Sequence, residues 1–243
     1  MFIADFVTRR IKSQMQELTL QQAIDLCQVP DSFNEQGISR ALQFIVKETN
    51  LPLDKWTVQE RIVALFHYIT AQEKGDWQLV DNGSVTDYLI EQDYPETPYI
   101  FQDDGDLFHI VPLTGEYVEA IERATDSTRG KWILAAMAAT IRAENDDFDG
   151  IPDERISENM TRLLALPESV FNRFLAHFQA AQIHLAHCVN IDFHDDGIIL
   201  LPKGGTGLPP VRFQFDEVLE QPTIALWRKL DEFSANNLLT TQI

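Results

Sequence analysis

The sequence predicts an α+β fold that is helix-dominated, with a β-hairpin and a small C-terminal antiparallel meander. Three observations carry that prediction. Thr19 with Gln22, Ser32 with Glu35 and Thr57 with Glu60 each place a capping hydroxyl three residues ahead of an acid or amide, the pattern of three successive helix starts. Asp103-Asp104-Gly105 lies between the apolar runs 99–101 and 107–111, and an Asp-Gly pair in that setting is a strong hairpin signal. Residues 189–193 and 198–201 are separated by His194-Asp195-Asp196-Gly197, and 211–215 alternates with period two after a Gly/Pro-rich connection, which predicts a three-stranded meander.

Taken in order, the N-terminal part reads as helical. In its third helix Val58, Ile62, Leu65, Phe66 and Ile69 share one stripe, and His67 falls on the opposite side as a surface histidine. Between residues 75 and 98 the pattern loosens, with Asn82-Gly83 and Pro95 as breakers around a short helical piece at 87–90. The chain is therefore divided into an N-terminal helical region, 1–95, and an α+β domain with a buried helix and the meander, 96–243. After the hairpin come a helix over 114–124 and a second over 130–143. In the latter Trp132, Ile133, Leu134, Met137 and Ile141 point in every direction, as expected of the central element of the second half. A short helix over 156–164 follows, then a longer one opened by Pro167, with the stripe Val170, Phe174, Phe178, Ala181, Leu185 and Cys188. Pro222 opens a last helix containing Ile224, Leu226, Trp227, Leu230 and Phe233, before a polar tail. No repeat at a fixed period occurs.

A chain of 243 residues buries roughly 70–75% of its unfolded surface, enough for a real core. Its 38 acidic and 19 basic residues leave a net charge of −19, which repels a phosphate backbone unless the cations gather on one face. The longest basic cluster is Arg9, Arg10 and Lys12, read as a solvated helix end, so nucleic acid is not an expected partner. Two cysteines, Cys27 and Cys188, in apolar-flanked helical contexts do not make a disulfide framework. Asp5 interrupts the first apolar stretch, so no secretory signal is expected, and the longest apolar run, 132–141, is about half of what a bilayer span requires.

Three stretches suggest chemistry. His177, His184, His187, Cys188, Asp192 and His194 offer zinc-ligand types. His177 and His184 stand roughly 10 Å apart along a helix, too far to share an ion, but His184 with His187 or Cys188 is one turn apart, and Asp192 or His194 could add ligands. The competing reading makes them core-edge residues beside an apolar stripe, and it carries more weight. Residues 145–153 place oxygen ligands at alternate positions around Gly150, as in a calcium loop, although the first ligand position is Asn145 and the twelfth is Ile156; a shorter loop would use Asp153. Lys203-Gly204-Gly205-Thr206-Gly207 lacks the Gly-Lys-Ser/Thr ending of a phosphate loop and reads as a connection bracketed by Pro202, Pro209 and Pro210. No nucleophile elbow, dinucleotide fingerprint or His-Glu-x-x-His helix is present, so no catalytic, cofactor-binding or metal residue is assigned.

Two segments, Trp56-Thr57-Val58-Gln59-Glu60-Arg61 opening a helix and Leu208-Pro209-Pro210-Val211-Arg212-Phe213 after a glycine-rich turn, give the chain another context. With its order of elements, it resembles the baseplate-hub and tail assembly proteins of tailed phages over about half its length. The resemblance implies a mostly helical protein with small β pieces, a non-enzymatic role in tail or baseplate assembly, and partners among other tail or baseplate proteins, the tape measure protein included. It implies a place in the host cytoplasm during assembly or in the virion tail. Some relatives of that kind carry a cysteine-rich knuckle between the long helix and the next strand. Here that place reads His184-Leu185-Ala186-His187-Cys188, with one cysteine, so no site residue is carried over. The alternatives from other classes are a zinc enzyme using the His184–His194 region and a calcium-stabilised interaction module.

Overall fold

Thr19 behaves as its spacing predicts: its hydroxyl accepts the Gln22 N–H at 3.2 Å, Gln22 Oε1 accepts the Thr19 N–H at 2.9 Å, and helix α1 (Leu20–Leu26) follows. The structure is a computed structural model that describes residues 3–73, 78–80, 83–124, 128–144, 146, 150–204 and 206–214. The helix expected from Pro222 lies outside the described residues.

Around α1 the N-terminal part is not all helical. Strands β1 (Phe6–Val7), β2 (Lys12–Met15) and β3 (Val46–Thr49) form an antiparallel sheet in that order, with Ser13 and Met15 inward and Lys12 and Gln14 outward. Two-to-four-residue strands give too short an alternation to register against helical patterning. Arg9 and Arg10 therefore sit in the β1–β2 turn and not at a helix end. Ser32 does not cap either. It falls in a 3₁₀ turn (Asp31–Phe33), and helix α2 (Asn34–Ile45) starts behind it without a side-chain cap from its N-cap residue.

Helix α3 (Val58–Glu73) is the centre of the core. The expected stripe of Val58, Ile62, Leu65, Phe66 and Ile69 is buried, but so are Gln59, Glu60, Arg61, Ala64 and Tyr68 on other faces. His67 is half-buried, its Nε2 2.8 Å from the Ala4 carbonyl oxygen and its ring 5.8 Å from that of Phe6. A small β4 (Gln78–Val80) and β5 (Gly83–Ser84) pair follows, then a 3₁₀ turn (Val85–Asp87).

The hairpin forms as read. Strands β6 (Tyr99–Asp103) and β7 (Asp106–Ile110) turn through Asp104 and Gly105, both at positive φ (49° and 93°), the conformation that makes Asp-Gly favourable there. Helices α4 (Gly115–Ala124) and α5 (Arg129–Thr140) follow. Helix α5 is buried along most of its length but ends at Thr140, and the chain passes directly into strand β8 (Ile141–Ala143), which joins β7. The helix expected to reach residue 143 stops short because Ile141 adopts the extended conformation that the edge of β7 rewards with ladder hydrogen bonds. Helix α6 (Pro152–Leu164) carries the proline at its first position, whereas Pro167 stands just ahead of α7 (Glu168–His184) as its N-cap. Phe174, Phe178, Ala181 and Leu185 of the predicted stripe are buried. Strands β9 (Asn190–His194) and β10 (Gly197–Leu201) form the second hairpin, and the expected third strand is reduced to one bridge, Leu200 with Val211.

Apart from Ala186, the buried apolar side chains described from Ile3 to Phe213 belong to one cluster, with α2 and α3 packed on α4. Gly115, first residue of α4, lies against Arg61: a Cβ there would stand 2.9 Å from Arg61 Nη1 and 3.3 Å from Cδ. Arg61 is almost wholly buried and held at Nη2 by Glu35 O and Ser39 Oγ, so a shift of its guanidinium disturbs those bonds. Gly115→Ala should therefore cost about 1–3 kcal/mol in urea unfolding. Gly130→Ala, where a Cβ meets nothing within 4 Å, should be neutral or stabilising by up to about 1 kcal/mol. Equal effects of the two substitutions would contradict this packing.

Candidate functional site

The zinc-ligand types do not converge. His177 stacks on Phe101 at 4.3 Å between ring centroids, with Nδ1 3.2 Å from the Tyr99 hydroxyl, and His184 meets the edge of Tyr99 at 5.9 Å. Both therefore serve the packing of α7 on β6. Helix α7 ends at His184, and Cys188 takes a left-handed conformation (φ 60°), so His187 leaves the helical register. It turns into the core, with Nε2 2.8 Å from Thr57 Oγ1, Nδ1 2.7 Å from the Leu185 carbonyl oxygen and Tyr94 edge-on at 5.2 Å. Asp192 pairs with Arg129 at 3.1 Å, and His194 lies 3.9 Å from Asp196 in solvent. Among the described residues no three His, Cys, Asp or Glu side chains gather where a metal could sit. One-turn spacing had meaning only while the helix continued.

Of the calcium-loop stretch, Asn145, Asp147, Phe148 and Asp149 lie outside the described residues. Asp146 accepts the Ala143 N–H at 3.1 Å. Asp153 is in the first turn of α6, its two oxygens receiving Arg123 Nε at 3.3 Å and Nη2 at 2.8 Å. In the glycine-rich connection, the Lys203 N–H donates to Asp87 O, which ties it to the 3₁₀ turn at 85–87, and the Thr206 hydroxyl donates to Lys203 O within the surface turn.

Two polar networks lie where the sequence suggested only caps. Glu60 is fully buried, and its carboxylate receives Arg10 Nε and Nη2, both at 2.7 Å, and the Thr57 N–H at 2.9 Å. Arg10 also rests over the Tyr94 ring at 4.3 Å. Burial holds His187 below the ordinary imidazole range. The neutral ring then donates from Nδ1 to Leu185 O and accepts the Thr57 hydroxyl at Nε2. In the second network Arg61 Nη2 donates to Glu35 O at 2.7 Å and Ser39 Oγ at 2.6 Å, and Ser39 in turn donates to Glu119. Glu122 reaches across from α4 to cap α2, accepting the Glu35 N–H at 2.8 Å and the Gln36 N–H at 3.1 Å. It does the work that the spacing assigned to Ser32. Burial, and next the neighbouring Glu35 carboxylate, push the Glu122 carboxyl up to about 7. Glu35 is also raised by burial, against the pull of Arg61 and Arg212. The signal for both networks was Glu60-Arg61 standing inside an apolar helical run.

What opens to solvent is a cleft of about 530 Å³ between α7 and β9, floored by the start of α3. Gln59, Gln92, Gln179, Gln182 and Asn190 bring carboxamides to it. Ile133, Leu175, Ile183 and Ile191 bring aliphatic surface, and Ile183 at 79% exposure is the most exposed large apolar side chain among the described residues. Gln59 is only 4% exposed, and its Oε1 has no hydrogen-bond partner among the described residues. Sequence reasoning passed over these amides because they come from four separate segments. A second groove of about 650 Å³ runs past Phe6, Val63, Phe66 and Leu89, with exposed Val7 also lining it.

No family model, no curated protein and no solved structure matches the chain.

An acid whose folded value stands above its ordinary 4.5 stabilises the fold fully below about pH 4.5 and loses that contribution as pH rises through about 7. Glu122 should thus lower the unfolding free energy by up to roughly 3 kcal/mol across that window. His187 acts in the opposite sense, its depressed value favouring the fold above the ordinary 6.5 and losing that as pH falls. The difference between the parent and Glu122→Gln urea curves isolates the carboxyl: it should change between about pH 4.5 and pH 7, and parallel curves would sink the assignment. The Cys188 thiol is pushed up to about 12, by burial first and then by the Glu60 and Asp93 carboxylates. Iodoacetamide at about pH 8 should leave it unmodified in the folded protein and modify it in urea, as read by peptide mass mapping.

Proposed function

We propose that this chain is a non-enzymatic assembly or structural component of a phage tail or baseplate, and that it works through contacts with other tail proteins. The observation that supports the reading best is that the two segments carrying the resemblance, 56–61 and 208–213, fold onto one centre. Phe213 packs edge-on against Phe66 of α3 at 5.2 Å, and its carbonyl oxygen accepts Asn34 Nδ2 at 3.1 Å. Arg212 acts electrostatically on Glu35, whose carboxylate lies 3.9 Å from Arg61 Nη2.

The surface suits such a role. The cleft offers amides and aliphatic side chains, groups that recognise another polypeptide, and the second groove adds apolar area. A net charge of −19 keeps such a surface soluble until a partner covers it. Assembly would take place in the host cytoplasm, with the virion tail as the alternative final location.

Co-expression with each tail and baseplate protein of the same phage genome, the tape measure protein among them, tests the reading. Size-exclusion chromatography with light scattering should show a complex of defined stoichiometry with at least one of them. A chain that elutes alone beside every one would overturn it.

A further inference from the structure

The cleft between α7 and β9 holds an open piece of β-edge. On the outward edge of β10 the Leu200 N–H donates to Val211 O at 2.7 Å and the Leu200 carbonyl oxygen accepts the Val211 N–H at 3.0 Å. Leu200 stands opposite Ile191 in the ladder, and the pair therefore makes no hydrogen bonds to each other. By the alternation of an antiparallel ladder, the N–H and C=O of Ile191 point out of the other edge of β9, where Ile191 lines the cleft. Two residues along, the same edge is closed because Arg129 Nε donates to Phe193 O at 2.8 Å. Ile191 has no such partner among the described residues.

We propose that this cleft binds an extended, uncharged segment of a partner polypeptide, whose main chain pairs with Ile191 and supplies the donor that Gln59 Oε1 lacks. The proposal rests on the reading that the chain works through protein contacts. Each carboxamide in the cleft offers both a donor and an acceptor, the same pair that a peptide group offers. The terminal torsion of a glutamine is soft, so a turn of the Gln59 carboxamide brings Oε1 toward an incoming N–H. Charge is cancelled within the cleft: Arg129 is spent on Asp192 and Phe193 O, which leaves no free cation among the described residues that line it for a phosphate or carboxylate. A sugar ring would need an aromatic face, but Phe178 and Phe193 are buried and stacked on each other at 6.2 Å. Ile183 and Leu175 provide the seat for an aliphatic side chain of the occupant.

The test uses an end-blocked pentapeptide of alternating leucine and glutamine, titrated into the ¹⁵N-labelled full chain. Saturable shifts are expected at Ile191, at the Gln59 side-chain amide and along residues 179–183. Glutamate in place of glutamine, or N-methylation of the peptide backbone, should weaken binding. Ile183→Asp, at an exposed rim position, should leave Tm unchanged and weaken binding about ten-fold or more. Gln59→Leu removes the unpartnered acceptor and should weaken it as well. No shift at millimolar peptide, shifts elsewhere, equal binding of the N-methylated peptide, or saturation of the same residues by maltopentaose or inorganic phosphate in its place would each overturn the proposal. The two readings fail separately. A tail protein that binds the Ile183→Asp chain unimpaired removes the cleft as its site and leaves the assembly role. Peptide binding in the cleft without any tail partner does the reverse.

Discussion

A carboxylate without access to water must be met by fixed donors or give up its charge, and Glu60 is met on every side. Arg10 comes from the turn between β1 and β2, Thr57 from the loop ahead of α3, and through the Thr57 hydroxyl the network reaches His187 beyond the end of α7. Three segments far apart in sequence are held to one point. Removing one partner of a buried pair generally costs roughly 3–5 kcal/mol, several times the value of a surface ion pair. The exposed pairs of this chain, Arg9 with Glu96 or Arg173 with Asp103, therefore do not organise the fold, however good their geometry.

The second network is less well balanced. Glu35 and Glu122 stand close together with Arg61 between α2 and α4, and two of the Arg61 nitrogens, Nε and Nη1, have no hydrogen-bond partner among the described residues. Burial raises both acids and Glu35 raises Glu122 further, and Glu122 keeps its position because the N-terminus of α2 needs an acceptor that no residue of its own segment provides. Gly115 is required for the same reason: it lets the guanidinium lie against the start of α4. Together the two networks fix the face of α3 opposite the cleft-lining side chain of Gln59. The cleft thus has a rigid floor, which a recognition surface needs if binding is not to be spent on ordering it.

Much of the fold was legible because its cause is local. Asp104-Gly105 encodes its own turn, Thr19 and Gln22 satisfy each other's backbone, and the stripe along α7 follows from helical periodicity alone. The misreadings share a different cause. Ser32 matches a capping pattern but loses its place to a carboxylate that arrives from α4. Ile141 ends a helix because β7 is there to pair with it. His184 and His187 are a turn apart only in a continuing helix, and α7 ends at His184. Strands β1 and β2 are too short to show an alternation, and β3 pairs with β2 across more than thirty residues, Met15 with Val46 and Ser13 with Thr49, beyond any window over which alternation can be read.

The site was less legible than the fold. Gln59 was visible in the segment 56–61 as one residue of a helix start, while Gln92, Gln179, Gln182 and Asn190 carry no spacing that links them. The sequence by itself determined the fold class, most of the described helices and the hairpins β6–β7 and β9–β10, since these depend on neighbours within a turn or two. Only the tertiary structure decided which polar groups are buried, which edge of β9 stays open and which amides face one cleft, because each of these depends on atoms brought together from distant parts of the chain.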